Sequence, residues 1–468
     1  MSKYFNQVDR VTGNIHIQRA WFVSLFTLCL IPTILAVFYA PIHCDSAYYL
    51  AVVERISDGL SPYIDFPLGY SPLVIYLMVL LKTIFSIGIN YEFYLAIHFI
   101  LQFFCAFFVY NISILIIRRK DYAYYASILF ILASHWNDGN AFLLETPSLL
   151  FGLMGIYYAI KYTKQIKIYI GIGILAAFSF LCKQYGLGFL VLIMFLICFN
   201  KTRWKQLFFL FIGFILPIVI CFLIWGRAFS IIVSGNYGLN SNIEVHIINI
   251  GNATWYFFCK VFPVLLIGFF YLPHLLKKPD KQEFANLFLL IFAILGFMYQ
   301  FYFWQSMHYF LYIIPFASIL SFSILSRITR FKWIYMIFLI FTVLLSIYST
   351  YYNQVYKTYY KHSDIKKDQY ILAQEILKNV DRNKTFFVAD LGLIAEYYLT
   401  NMIPPDFKDV GYSFGPAINQ QEFLNQIEHA DYIINYKPEY DNSNTLVAKK
   451  AMSKRKIIGV YKYVVIYK

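Results

Sequence analysis

Apolar residues run in long blocks from Trp21 to Ser349, and the short polar breaks between them hold clustered Lys and Arg. Blocks at roughly 21–40, 92–117, 121–137, 142–160, 168–182, 185–200, 206–225, 256–275, 284–303, 309–326 and 333–350 each approach the ~20 residues that a helix needs to cross the hydrocarbon core. The pattern predicts an all-α polytopic membrane protein of about eleven spans. The stretch from Pro72 to Ile87 is apolar too, but at about sixteen residues, between proline-marked turns and Asn90, it is too short to cross. It is expected to lie as an interfacial helix in a long first outer loop, 41–91. With that stretch excluded, Arg118–Lys120, Lys161–Lys167, Lys201–Lys205, Lys277–Lys281 and Arg327–Lys332 all fall on one side together with the amino terminus. Positive loops mark the cytoplasmic side, so the amino terminus is expected inside and the carboxyl terminus outside. The first block is longer than a signal-peptide core and reads as an uncleaved span.

Polarity returns to ordinary values from about Tyr351. Helical periodicity at Gln369–Val380 and strand-like runs at Thr385–Ala389, Tyr432–Asn435 and Tyr461–Tyr467 predict a small α/β domain outside the membrane. The chain thus divides into a membrane body, 1–350, and an extracytoplasmic tail, 351–468. The tail carries no glycine-rich nucleotide loop.

Composition narrows the function class. With 60% apolar and 14% charged residues, the chain is not a soluble globular protein. Its net charge of +14 is spread over the loops between apolar blocks, which points to membrane topology and away from nucleic acid. The seven cysteines lie in or beside apolar segments without a CxxC, so no disulfide or zinc framework is indicated.

Just beyond the first span stands His43-Cys44-Asp45-Ser46-Ala47-Tyr48-Tyr49, and Leu50–Gly59 fits a short interfacial helix. Its apolar side would hold Tyr49, Val52, Val53, Ile56 and Leu60, with Glu54, Arg55 and Asp58 opposite. On position alone Asp45 reads as a helix N-cap, with Gly59 as the stop. The stretch Ser61-Pro62-Tyr63-Ile64-Asp65-Phe66-Pro67-Leu68-Gly69-Tyr70-Ser71-Pro72 follows. Further along come Leu144-Glu145-Thr146-Pro147-Ser148-Leu149, then Phe180-Leu181-Cys182-Lys183-Gln184, then His308-Tyr309 with Pro315.

In this order and at these predicted outer positions, the segments resemble the GT-C class of membrane glycosyltransferases, and more closely the family that includes the protein mannosyltransferases and the lipid A aminoarabinose transferase. The family commonly has a second acid where Ser46 stands, and its aminoarabinose transferases have a Lys where this chain has Tyr70-Ser71. The resemblance implies a sugar carried on a polyprenyl phosphate, an acceptor glycan, lipid or protein on the outer face, and attack of the acceptor hydroxyl on the anomeric carbon. It also implies Asp45 as general base. Lys183, Gln184, Glu145, His308, Tyr309, Asp65 and Asp138 become donor-phosphate or substrate contacts, and Asp45 with Glu145 the expected ligands if a divalent metal takes part. Such chemistry needs a carboxylate at the hydroxyl and cations at the leaving phosphate.

Plainer readings stand beside these. Lys183 fits a snorkelling side chain, Glu145 a helix-start acid, Asp65 and Asp138 turn formers, and Arg227 a headgroup anchor at a span end. Two other functions compete with sugar transfer, a flippase for lipid-linked sugars and a non-catalytic membrane scaffold. A transporter predicts midplane charges and an internal repeat, whereas the charges here sit at span boundaries.

Overall fold

A computed structural model describes residues 15–39, 42–62, 65–66, 68, 72–85, 90–136, 141–198, 202–226, 290–296, 307–326, the positions 333, 337, 340, 341, 344 and 348, and then 365–381, 383–388, 395–400, 428–436, 454–461 and 464–468. In chain order the helices are α1 (Ile15–Tyr39), α2 (Cys44–Ser57), α3 (Leu73–Phe85), α4 (Tyr91–Ile117), α5 (Lys120–Trp136), α6 (Glu145–Lys161), α7 (Ile168–Cys182), α8 (Leu187–Cys198), α9 (Arg203–Trp225), α10 (Ile314–Leu325), α11 (Ile365–Asn379) and α12 (Ala395–Thr400). Short 3₁₀ segments precede α8, at Gln184–Gly186, and α10, at Met307–Tyr312. The strands are β1 (Phe386–Val388), β2 (Tyr432–Tyr436), β3 (Ile457–Tyr461) and β4 (Val464–Tyr467). They fall into two compact units, one of residues 1–37, 92–220 and 246–353 and the other of 38–91, 221–245 and 354–468.

The first unit is a helix bundle. Ala20–Phe38 within α1, all of α4 and all of α9 are long and apolar enough to cross a membrane, and α7, α8 and α10 are shorter apolar helices. The predicted spans 121–137 and 142–160 correspond to α5 and α6. The predicted span 256–275 lies outside the described residues, and of 284–303 and 333–350 only 290–296 and the isolated positions above are described. Aromatic contacts knit α1 to its neighbours: Trp21 stacks on Tyr124 at 4.8 Å, and Phe26 meets Phe99 edge-on at 4.9 Å. Such pairs add to area burial.

Small residues let α7 and α9 cross closely, as membrane helices commonly do. A Cβ on Gly173 would overlap the Leu210 carbonyl oxygen, and one on Gly213 would overlap that of Ile170. Gly213→Ala is therefore expected to destabilise the full chain by about 1–3 kcal/mol through overpacking. The check is thermal melting in detergent, with Gly171→Ala as control because nothing lies within 4 Å of its added Cβ.

The second unit joins residues 38–91 to the tail. In it α2 packs against α3 and α12, α12 against α11, and α11 against β3. The Ile42 N–H donates to Gln369 Oε1 at 3.0 Å. The helix expected at Pro72–Ile87 is α3, whose 13 residues rise only about 20 Å.

Helix α2 departs from its expected outline. It begins at Cys44 rather than Leu50, and its N-cap is His43, whose Nδ1 accepts from the Asp45 N–H at 3.3 Å. Asp45 stands in the first turn, so the N-cap reading of this residue is corrected. The end is as expected, with Gly59 at φ +95° just past the helix, a conformation that glycine adopts without Cβ strain. Arg55, expected on the polar side, is only 4% exposed, and its guanidinium lies 5.7 Å from the centre of the Phe66 ring. A planar guanidinium on a long apolar stem can be buried against an aromatic face.

The sheet has the order β1-β2-β4-β3, with β1 parallel to β2 and the other pairs antiparallel. The run Tyr461–Tyr467, expected as one strand, instead spans the end of β3 and all of β4. Gly459, inside β3 beside a register irregularity, weakens the strand signal there. At the start of β1, Thr385 donates through N–H and Oγ1 to Asp431 Oδ2, both at 2.9 Å, tying β1 to β2.

Candidate functional site

Three segments far apart in sequence meet inside the helix bundle. Glu145 opens α6 behind buried Leu143 and Leu144, and its side chain is 0% exposed. Pro147 in that first turn lacks only an N–H that the helix could not have used. The helix start also favours a carboxylate through its dipole.

Lys183 caps the end of α7. Its N–H still bonds the Ser179 carbonyl at 3.2 Å, but its backbone is extended, at φ −153° and ψ 134°. The chain then turns through Gln184–Gly186, where the Gly186 N–H donates to the Lys183 carbonyl at 2.8 Å. The side chain turns inward. Its Nζ lies 3.1 Å from Glu145 Oε1 and the residue is 1% exposed, so the snorkelling reading does not describe it.

The 3₁₀ segment Met307–Tyr312 supplies the third side. His308 Nε2 lies 3.6 Å from the same Glu145 oxygen and is also buried, a distance longer than a hydrogen bond. The Tyr309 ring centre is 5.5 Å from Lys183 Nζ, within the range of a cation–π contact. Partly exposed Tyr185 packs on Tyr309 at 4.8 Å and on buried Tyr312 at 6.3 Å. Gln184 keeps a buried Oε1 that finds no hydrogen-bond partner among the described residues.

The electrostatics follow from burial. Stripping water from both ions costs several kcal/mol each, and their attraction offsets this only at close range. Glu145 therefore supplies the partner that an ammonium at this depth requires. The group can hold an anion only if that anion takes a share of Lys183 from Glu145, or if His308 carries a proton and adds a second positive charge.

Asp45, partly exposed in the first turn of α2, belongs to the second unit. Asp65, in the same unit, is exposed; its Oδ2 accepts from the Ser61 N–H at 2.6 Å and its own N–H donates to the Ser61 carbonyl, the geometry of a turn former. Asp138 and Arg227 lie outside the described residues. Sequence reasoning missed Tyr185, Tyr312 and the buried Arg55. Aromatic residues make up 21% of the chain, so no single tyrosine stood out.

A metal between Asp45 and Glu145 is poorly matched to these residues. Among the described residues no three His, Cys, Asp or Glu side chains cluster as a ligand set. The carboxylate of Glu145 already faces an ammonium, which would repel a dication at the same oxygen in a medium of low dielectric. A lone carboxylate is thin ligation for a hard cation.

No family model matches the chain, and no curated protein matches it by sequence. The fold has solved counterparts. ArnT from Cupriavidus metallidurans in the apo state aligns with a TM-score of 0.61 at 10% identity, covering 96% of this chain and 98% of that one. The same protein bound to undecaprenyl phosphate aligns with a TM-score of 0.56 at 12% identity and the same coverage. An oligosaccharyltransferase from Archaeoglobus fulgidus, tethered to an acceptor peptide, covers 89% of this chain at a TM-score of 0.49 and 12% identity. Over nearly the whole chain the fold is thus like that of ArnT.

Proposed function

We propose that this chain transfers a sugar from a polyprenyl-phosphate donor to an acceptor hydroxyl on the outer side of the cell membrane, with the amino terminus in the cytoplasm and the tail outside. The acceptor oxygen attacks the anomeric carbon while the bond from that carbon to the phosphate oxygen breaks. The polyprenyl phosphate departs with the electron pair, and the acceptor proton passes to Asp45. Lys183, released in part from Glu145, meets the charge that grows on the leaving phosphate, where preorganised cations act most strongly. Glu145 holds Lys183 in place between donors, and His308 and Tyr309 line the same group.

The observation that carries this reading is the buried Glu145–Lys183 pair with His308 beside it, in a fold like that of an enzyme solved with undecaprenyl phosphate. A bundle with an apolar exterior has little reason to bury two charges unless they serve a site. The deciding experiment incubates membranes holding the full chain with a panel of radiolabelled undecaprenyl-phosphate hexoses and pentoses and follows the label. Label leaving the lipid for a new glycan, lipid or protein product is the expected result. Label that stays on the lipid but changes sides would establish the transporter instead, and label that does neither would leave the scaffold.

Because Glu145 is engaged by Lys183, no step is routed through a metal. Transfer is expected to stay within about twofold of its starting rate after EDTA treatment, since a single remaining carboxylate does not form a dication cage. Loss restored by magnesium or manganese would reinstate the metal.

A further inference from the structure

Two buried serines cross-link the helices that carry Glu145 and Lys183. Ser148 Oγ donates to the Ser179 carbonyl at 2.8 Å, Ser179 Oγ donates to the Ser148 carbonyl at 2.7 Å, and the two hydroxyl oxygens are 3.2 Å apart. Helical serines commonly bond back to a carbonyl of their own helix, as Ser134 does to Phe130 and Ser321 to Ala317. Ser148 and Ser179 instead reach across, from α6 to α7 and back.

Both ends lead to the charged pair. Ser148 lies one turn beyond Glu145 on α6. The Ser179 carbonyl that takes the Ser148 hydroxyl also takes the Lys183 N–H at 3.2 Å, the bond at which α7 ends and Lys183 swings into extended backbone. Gly186 closes over the other side, where an added Cβ would overlap the Ser179 carbonyl carbon and oxygen. Tyr312, on the segment that brings His308, is fully buried. Close approach of the two helices does not itself require hydroxyls, because at Gly155 of α6 an added Cβ would already stand in van der Waals contact with the Ile172 carbonyl oxygen on α7.

We propose that Ser148 and Ser179 are positioning residues, whose reciprocal hydrogen bonds fix where the Lys183 ammonium stands relative to Glu145 and hence how it meets a lipid phosphate. The proposal rests on the donor-phosphate reading of Lys183 given above. A hydrogen bond contributes modestly when it only joins two helices. It has a larger consequence when it sets the geometry of a charged group, because a displaced ammonium is lost to the ligand.

The test titrates bare undecaprenyl phosphate into the purified full chain in detergent and follows intrinsic fluorescence, for Ser148→Ala and Ser179→Ala, each with Lys183 intact and in a Lys183→Gln background. With Lys183 present, each serine substitution is expected to weaken binding by about 3- to 10-fold, the worth of one hydrogen bond expressed as affinity. In the Lys183→Gln background the same substitutions are expected to change affinity less than about twofold, because coupled residues are not additive. Equal losses in both backgrounds, or no loss with Lys183 intact, would overturn the positioning role. A wild-type affinity in Lys183→Gln alone would instead sink the phosphate reading, which keeps the two failures apart. Ser148→Cys keeps the shape and weakens the donor, and reads the same coupling should an alanine variant fail to fold.

Discussion

Asp45→Asn is expected to lower sugar transfer by about 10²- to 10⁴-fold, the usual contribution of a positioned general base, at unchanged protein abundance. The structure separates the two effects that this substitution could have. Were Asp45 the N-cap of α2, removing its charge would fray the helix, and lost activity would say nothing about proton transfer. The cap is His43. Asp45 stands in α2 as a first-turn acid, a position worth about 0.3–1 kcal/mol through the helix dipole, and Asn keeps its size and one oxygen. Ser46, fully buried beside it, has no charge with which to replace it. The measurement is label transfer from undecaprenyl-phosphate sugars in membranes matched for protein level, with Asp45→Glu as companion. Partial activity in Asp45→Glu and none in Asp45→Asn identifies a proton acceptor, whereas full activity in Asp45→Asn removes Asp45 from the mechanism.

Membrane helices were legible because burial in lipid forces long apolar blocks with charged breaks, and α1, α4 and α9 follow directly from that constraint. The apolar helix α3 was legible for the same reason. What periodicity does not show is which polar side chain turns inward. Arg55 was assigned to the polar side of α2 on charge, yet a guanidinium stacked on Phe66 fits an interior. The start of α2 was placed late because the cap is a histidine, which seldom serves there. In the tail, Gly459 obscured the strand β3 that pairs with β4.

The charged group in the bundle was half legible. Glu145, Lys183 and His308 were each singled out from a separate motif, but separation along the chain carries no information about contact. Lys183 was read as an ammonium in need of a phosphate, while its partner in the folded chain is a carboxylate that lay in another motif. The serine clamp shows the same limit. Ser148 stood in the quoted segment next to Glu145, but its significance depends on Ser179 across the helix interface, and serines facing a helix interface look like any other small polar residues in an apolar block.

Breaking the Glu145–Lys183 pair from one side is expected to cost about 3–5 kcal/mol, because the surviving charge stays buried without its partner. Both Glu145→Leu and Lys183→Met should therefore lower the melting temperature of the full chain in detergent and reduce the yield of folded protein. The double variant is expected to melt above either single one, since replacing a whole buried pair with apolar side chains of similar volume is often neutral. Transfer should not follow stability: the double variant regains its fold but stays inactive, having no ammonium at the phosphate. If it recovers both stability and transfer, the pair is structural and the donor phosphate is held elsewhere. If it melts below both single variants, apolar packing at Glu145 and Lys183 cannot stand in for the ions, and the hydrogen-bonded surroundings of Ser148 and Ser179 then dominate the stability of this part of the bundle.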